Sequence, residues 1–408
     1  MRRINPGVAR ARRCRMTLAV ALLTLAVSGL ASATAFGCEV KDLRTQATFG
    51  SLEAAVTAAA PGDTLKVHAT CAGDTEITKN LTIEGGVLEE VSHNPPLDAV
   101  RVAEHVTAEF KGMTISGGEL PESALVVEEH SSVILSYVTV EDTKGAEEGG
   151  IGQAGESALR LNHTTVTSNV SGPPDPPFTE GGGGGVHSFG DLNVEHSSIE
   201  GNTAEADAGG ISSVGPLTMI GSVIAHNKGG EVGGGISSFS SLLIESSTIK
   251  HNSTNSGGGG VSLVSFGAFG PEQSAVISSS VISDNSASYG GGILIAEPGG
   301  KVFLEGDTAV VNNTASTTGG GIDVLQESGG SSPLLKINGS SRVTGNQAGE
   351  NGGGIFNEGE TTLTGSAAIT DNKAALHGGG IYDTAGATFS QSGGSVTLNK
   401  PDNLYTAP

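Results

Sequence analysis

Nine times between Val166 and Asn399 the chain repeats one unit: an aliphatic residue, two variable residues and an asparagine. The pairs are Val166/Asn169, Ile199/Asn202, Ile224/Asn227, Ile249/Asn252, Ile282/Asn285, Val310/Asn313, Val343/Asn346, Ile369/Asn372 and Val396/Asn399, with asparagine intervals of 25 to 33 residues. After seven of the first eight asparagines a Gly-Gly-aliphatic unit follows at an offset of eight or nine, at Ile211, Ile236, Val261, Ile293, Ile322, Ile355 and Ile381. Val186 comes later, behind an insertion at 171–180 that holds Pro173-Pro174 and Pro176-Pro177. A period of this length builds an array of stacked units rather than a globule with one centre.

Within each period the apolar residues alternate. Leu192/Val194/Ile199, Leu217/Met219/Ile224 and Leu242/Ile244/Ile249 keep the same offsets through three successive units. Alternation over short runs separated by Gly and Asn specifies short strands joined by turns. Several such strands per 25–33 residues make one coil of a parallel β-solenoid. Ile83, Ile115 and Val138 extend the pattern upstream, for about 11–12 coils in all. Equivalent aliphatics are expected to stack inside. Phe189, Val214, Phe239 and Val264 share one offset and read as a further interior stack. The asparagines are expected at turns, where Asn tolerates left-handed backbone, and their amides can form a ladder from coil to coil. Composition agrees with a narrow solenoid, since the chain has 64 Gly, no Trp and 4 % aromatic residues.

The N-terminus reads differently. Arg2, Arg3, Arg10, Arg12, Arg13 and Arg15 precede an apolar run from about Met16 to Leu30, and small residues follow at Ala31-Ser32-Ala33 and Ala33-Thr34-Ala35. This is the pattern of a secretory signal peptide over 1–35, cleaved near Ala33 or Ala35. The run is too short for a membrane anchor. Arg12-Arg13 is a poorer fit to a twin-arginine signal, and Gly37-Cys38 a poorer fit to a lipoprotein site. Removing six arginines and no acidic residue from 21 basic and 43 acidic residues leaves a formal charge of −28. Such a surface repels nucleic acid and anionic lipid, and needs a bridging cation to hold a polyanionic polysaccharide. Two cysteines remain, Cys38 and Cys71, and in an exported chain they are expected to form a disulfide. The segment Ser51–Ala60 reads as a helix with Ser51 as N-cap and Pro61-Gly62 as its stop. Its face of Leu52, Ala55, Val56 and Ala59 is expected to cover the first coil, because an open solenoid end exposes strand edges.

At these residues the sequence resembles the right-handed parallel β-helix proteins of the pectin-lyase-like superfamily. The repeats resemble in particular those of polymorphic outer membrane proteins, which combine Gly-Gly-Ala-Ile with Phe-x-x-Asn. The matching text here is Val343-Thr344-Gly345-Asn346 followed by Gly352-Gly353-Gly354-Ile355, with Ile or Val in place of Phe. The resemblance implies an all-β, right-handed parallel β-helix with a short N-terminal capping helix. The expected organisation is a signal peptide at 1–35, an N-terminal cap at 36–80, the β-helix at 81–403 and a tail at 404–408. The resembled proteins end in a translocating β-barrel; this sequence has none after its last coil, so adhesion carries over as an expectation and self-translocation does not.

Chemistry is harder to find. The β-helix lyases use acidic residues for calcium and a Lys or Arg base, and related hydrolases cluster Asp. Beyond the signal peptide the chain has only Arg44, Arg101, Arg160 and Arg342, and it has neither Asp-Asp nor an Asp-x-Asp calcium loop. The repeat spacing brings together no Ser/His/Asp set. The best polar column lies one residue before the asparagines, where His226, His251 and Asp284 occupy three successive coils and offer zinc-ligand or acid–base chemistry. His163 and His196 form a second neighbouring pair, while Glu128-Glu129-His130 and Glu147-Glu148 read as solvated faces. Coils lengthen at about 262–275, 294–301 and 323–333, which should form a lip of loops. Phe266, Phe269, Glu272, Glu297, Asp323 and Glu327 are its candidate contact residues, since loops on a rigid scaffold carry binding function.

The reading is a secreted or cell-surface, non-enzymatic binding scaffold of adhesin type, monomeric, without a transmembrane segment in the mature chain. A surface glycan or a protein is the expected partner, and nucleic acid is not. No cofactor is expected, calcium being the one ion kept in view. The alternative is a carbohydrate-active enzyme, a polysaccharide lyase or glycoside hydrolase.

Overall fold

Apolar residues that alternate over three to five positions can face one interior only if each strand ends where the chain bends. The computed structural model builds the repeat in this way. It describes residues 37–89, 98–120, 123–145, 148–173, 182–264, 274–296, 298–326 and 331–408, so the signal-peptide expectation lies outside the described residues. Among the described residues four sheets run along the unit, with 15, 13, 10 and 13 strands. Ten coils among the described residues pass through the first sheet, the second, the short two-residue strands of the third and then the fourth before entering the first again, while the first two coils and the last go from the second sheet to the fourth without a third-sheet strand. Coil-to-coil pairing is parallel throughout, as in Leu192↔Leu217↔Leu242 and Ile199↔Ile224↔Ile249. The fold is the right-handed parallel β-helix.

Described strands make thirteen coils, from Thr64–His68 to Leu404–Thr406, two more than the lower count expected from sequence. The uncounted coil lies at the N-terminal end, where the asparagine mark is missing, whereas the C-terminal coil carries Asn399. Thr64–Ile77 already forms a coil inside the segment read as cap. At the other end, the segment read as a tail contributes Leu404–Thr406, paired with Ile381–Asp383. Tyr405 continues a stack begun by Phe356 and Tyr382, with centroids 5.3 Å apart at each step. At about 4.8 Å per coil the thirteen coils span roughly 60 Å.

Inside, the columns are almost wholly aliphatic. Val194, Met219, Ile244, Ile277, Leu304 and Ile337 follow one another and are fully buried. The expected stack of Phe189, Val214, Phe239 and Val264 is not interior. Phe189 is 41 % exposed and the other three are half-buried, because they follow the inward residues of the fourth sheet as the chain turns out into the corner.

The asparagine column is buried and forms a continuous ladder. Asn169, Asn202, Asn227, Asn252, Asn285, Asn313, Asn346 and Asn372 each donate Nδ2–H to the Oδ1 of the next asparagine, and Asn399 closes the run on Asn403. The ladder is as expected, but the backbone expectation is corrected. Left-handed backbone lies one residue before the asparagines, at Ser168, His226, His251, Asp284, Asn312 and Asp371 among others. Asn312 and Asn313 separate the two roles. Asn312 takes the bend, with φ 55°, and is exposed, whereas Asn313 has no positive φ and is fully buried. The bend at Asn312 turns the next side chain inward. There Asn313 Nδ2 donates to the Ile282 carbonyl at 2.9 Å and to Asn346 Oδ1 at 3.1 Å, and its Oδ1 accepts the backbone N–H of Asn285 at 3.0 Å. The asparagine is therefore selected for its amide and not for its tolerance of left-handed φ.

At the neighbouring corner a hydroxyl ladder runs through Ser197, Ser222, Ser247 and Ser280, each hydroxyl accepting the backbone N–H of the preceding member or of Thr164. Buried turns are thus satisfied along the coil axis rather than by water.

One glycine triplet shows why the turn before the fourth sheet takes glycine. Gly233 has φ +65°, a conformation L side chains rarely adopt, and Gly234 would place a Cβ 2.3 Å from the Gly259 carbonyl oxygen. A Cβ on Gly235 would lie 2.6 Å from the Gly260 carbonyl oxygen. The close approach lets the turn fold over the outward side of the sheet.

The helix Leu52–Ala58 covers the N-terminal end. Ser51 caps it by accepting the Ala54 N–H at 3.2 Å, and Leu52, Ala55 and Val56 are buried. Lys79 donates to the carbonyls of Val56, Thr57 and Ala59 at 2.8–2.9 Å, offsetting the negative C-terminal end. Cys38 and Cys71 are joined in a disulfide. No helix among the described residues is long and apolar enough to cross a membrane.

Candidate functional site at the corner between the fourth and first sheets

The corner that leads from the fourth sheet into the first carries a cleft of about 270 Å³, lined by Ser131, Glu156, Ser157, Phe189, Asp191 and Pro216 among others. Four successive turns at this corner contribute to it. Its floor is braced by Gln153, a buried side chain on the inward side of the fourth sheet. Gln153 Nε2 donates to the carbonyls of Ser157 at 3.1 Å and Asp191 at 3.2 Å, while its Oε1 accepts from Ser188 at 2.7 Å. One amide therefore ties together the two turns that hold the cleft. Gly190 fits between them, since a Cβ there would lie 2.4 Å from the Ser157 carbonyl oxygen.

Phe189 presents an exposed ring and leans on His187, with centroids 4.6 Å apart and planes at 58°. His187 is buried and its Nδ1 lies 3.1 Å from Glu148 Oε1, while Glu148 Oε2 accepts from Ser123 at 3.3 Å. In the next coil Ser212 pairs with His187 in register and donates its hydroxyl to Asp207 Oδ2 at 2.5 Å. Burial of the Asp207 carboxyl pushes its pKa up, against the opposing pull of the Ser212 hydrogen bond and His187. Glu148, which reads with Glu147 as a solvated face, is partly buried and engaged with His187; Glu147 lies outside the described residues. The separation of 39 positions from Glu148 to His187 spans the irregular insertion, which hides the pairing from any fixed period.

The cleft combines an apolar ring face, two exposed carboxylates in Glu156 and Asp191, and hydroxyl and carbonyl groups on turns held rigid from beneath. This set can accept hydrogen bonds from a hydroxyl-rich ligand while an apolar ligand face rests on Phe189. Phe189 precedes Gly190 directly after a strand, and that placement outside the alternation is the signal available for it.

The lengthened coils open at the same corner. Their insertions fall after Val261–Val264, Ile293–Ala296 and Ile322–Val324, all of the fourth sheet, and before the following strands of the first. Phe266, Phe269, Glu272, Glu297 and Glu327 lie outside the described residues. Asp323 does not belong to a lip. It is fully buried on the outward side of the fourth sheet, under the turn at Gly319, and accepts from Thr318 Oγ1 at 2.6 Å. Desolvation pushes its carboxyl up to about 7.

His226, His251 and Asp284 occupy one exposed left-handed column, as their register implies, with the two imidazoles stacked at 5.0 Å and 19°. No three His, Cys, Asp or Glu side chains among the described residues are arranged to hold a metal ion. His163 and His196 stack at 5.2 Å and 6° at another corner. Compared with family models, curated proteins and solved structures, the chain matches none.

Proposed function

We propose that the chain is an exported, surface-associated β-helix scaffold that binds a neutral glycan at the cleft beside Phe189, without turning it over. The observation that carries this reading is the cleft itself: an exposed aromatic ring and two carboxylates lining one cleft, on turns locked by Gln153. Its volume suits about one sugar ring. The formal charge of −22 for the whole chain, and −28 without residues 1–35, favours a neutral ligand over an anionic one. The repeats that resemble those of polymorphic outer membrane proteins support adhesion as the purpose, and the three lengthened coils extend the same corner.

A second reading has one specific observation in its favour. Glu156 and Asp191 share a cleft, and a pair of carboxylates is what glycoside hydrolysis requires. Incubating the mature protein with a panel of neutral polysaccharides separates the two. Retention on the polysaccharide with no new reducing ends is the expected outcome. New reducing ends above the blank would replace the binding reading with the hydrolase.

A further inference from the structure

Six of the ten histidines sit at left-handed corner positions, with φ between 49° and 61°: His105, His130, His163, His196, His226 and His251. They form three exposed stacked pairs, each pair drawn from successive coils. The pair His105–His130 is the best ordered for chemistry. Its rings are 5.0 Å apart and 4° from parallel. The next residue of the same column, Glu156, lies 3.2 Å from His130 Nδ1 through its Oε2.

That contact has a chemical consequence. A carboxylate on Nδ1 holds the proton there and leaves the Nε2 lone pair directed away, the arrangement that orients histidine ligands in metal sites. His163 shows the same device with a neutral acceptor, its Nδ1 lying 2.8 Å from Asn162 Oδ1. Two imidazole nitrogens each about 2.0–2.1 Å from one tetrahedral ion are roughly 3.3 Å apart. The stacked rings hold their Nε2 lone pairs in nearly parallel planes, so reaching one ion requires each exposed ring to turn by roughly 50° as well as to close by somewhat less than about 1 Å, a rotation open to the broad terminal torsion of histidine. Glu104 and Glu129, exposed beside the two histidines, add negative potential that draws a dication.

We propose that His105 and His130 form a surface site for a borderline divalent transition ion, Zn²⁺, Ni²⁺ or Cu²⁺. The two Nε2 atoms are the protein ligands, water fills the remaining positions, and Glu156 acts as the orienting residue. The site stands independently of the glycan reading, because the ion is bound with no glycan present.

Titration calorimetry of untagged mature protein with Zn²⁺ alone tests it. Asn replaces His in the variants because it tolerates the left-handed corner. The tightest binding step is expected to vanish in His105→Asn/His130→Asn, to weaken about tenfold in Glu156→Gln, and to persist in His226→Asn/His251→Asn. An unchanged isotherm in His105→Asn/His130→Asn overturns the proposal, as does the absence of binding heat in the wild type up to millimolar ion. Matching unfolding midpoints for all variants establish that they fold.

Discussion

Asn227 gives both its side-chain Nδ2–H and its backbone N–H to one atom, the Oδ1 of Asn252, at 3.0 Å each. Asn252 in turn donates to the Ile224 carbonyl at 3.0 Å and to Asn285 Oδ1 at 3.1 Å. Asn252→Ala leaves two buried donors and a buried carbonyl short of partners, and a stranded buried group costs about 1–3 kcal/mol. The expected loss is roughly 3 kcal/mol or more, read as a lower urea midpoint. Asn252→Asp keeps the acceptor but turns an oxygen toward two others, so it should also destabilise, and more at pH 7 than at pH 4. A midpoint within error of wild type for Asn252→Ala would show that the ladder contributes nothing.

Glycine content is a matter of position. Gly234→Ala drives a Cβ to 2.3 Å from the Gly259 carbonyl oxygen and 2.6 Å from the Ser253 nitrogen, both backbone atoms of the next coil. It is expected to be among the most damaging single substitutions, lowering soluble yield or thermal midpoint sharply. Gly155→Ala meets nothing within 4 Å and should shift stability by no more than about 0.5 kcal/mol. Thermal melts of the two side by side test the packing; equal melts would contradict it.

Asp323 gives the fold a pH dependence with a definite sign. Its folded pKa is raised to about 7 by burial, above the ordinary value near 4. Between these values the folded state holds a proton that the unfolded state has released, so stability falls as pH rises through this window. The stabilising proton is fully in place below about pH 4 and lost above about pH 7. Asp323→Asn should match wild type at pH 4 and exceed it at pH 8 by a few kcal/mol. Denaturant midpoints across that range read the difference, and a gap that does not widen with pH would count against it.

The disulfide Cys38–Cys71 closes a loop over 33 positions that contains the capping helix. By chain entropy such a loop is worth about 3–4 kcal/mol. In Cys38→Ser/Cys71→Ser, limited proteolysis should cut first within 39–60, releasing the face of Leu52 and Val56 before the central coils are touched. First cuts in the central coils instead would show that the cap is held by packing alone.

What the sequence made legible follows from what repeats. Ile199, Ile224 and Ile249 stack where their period puts them, and the amides of Asn202, Asn227 and Asn252 meet because each coil returns to the same corner. The left-handed position escapes detection because it accepts Ser, His, Asp, Asn and Gly alike, so no residue type marks it. Where two asparagines adjoin, at Asn312 and Asn313, the sequence does not say which one bends and which one is buried. Phe189 reads as interior since its offset is regular, yet a regular offset one step beyond the last inward residue points outward. Asp323 reads as a loop acid because alternation puts it on the outer side; the glycine turn that buries it acts only in three dimensions. Glu148 and His187, like Glu156 and Asp191, are joined across coils of unequal length, so their meeting is a property of register and not of spacing.

The central claim is that the corner cleft binds sugar through Phe189. Glycan-array binding by the mature protein tests it most directly when compared with Phe189→Ala and with Tyr137→Ala, a 65 % exposed aromatic at a different corner. The account predicts that Phe189→Ala loses the glycan signal at least tenfold with an unchanged melting temperature, while Tyr137→Ala keeps it. Equal glycan binding by Phe189→Ala and the wild type would contradict it.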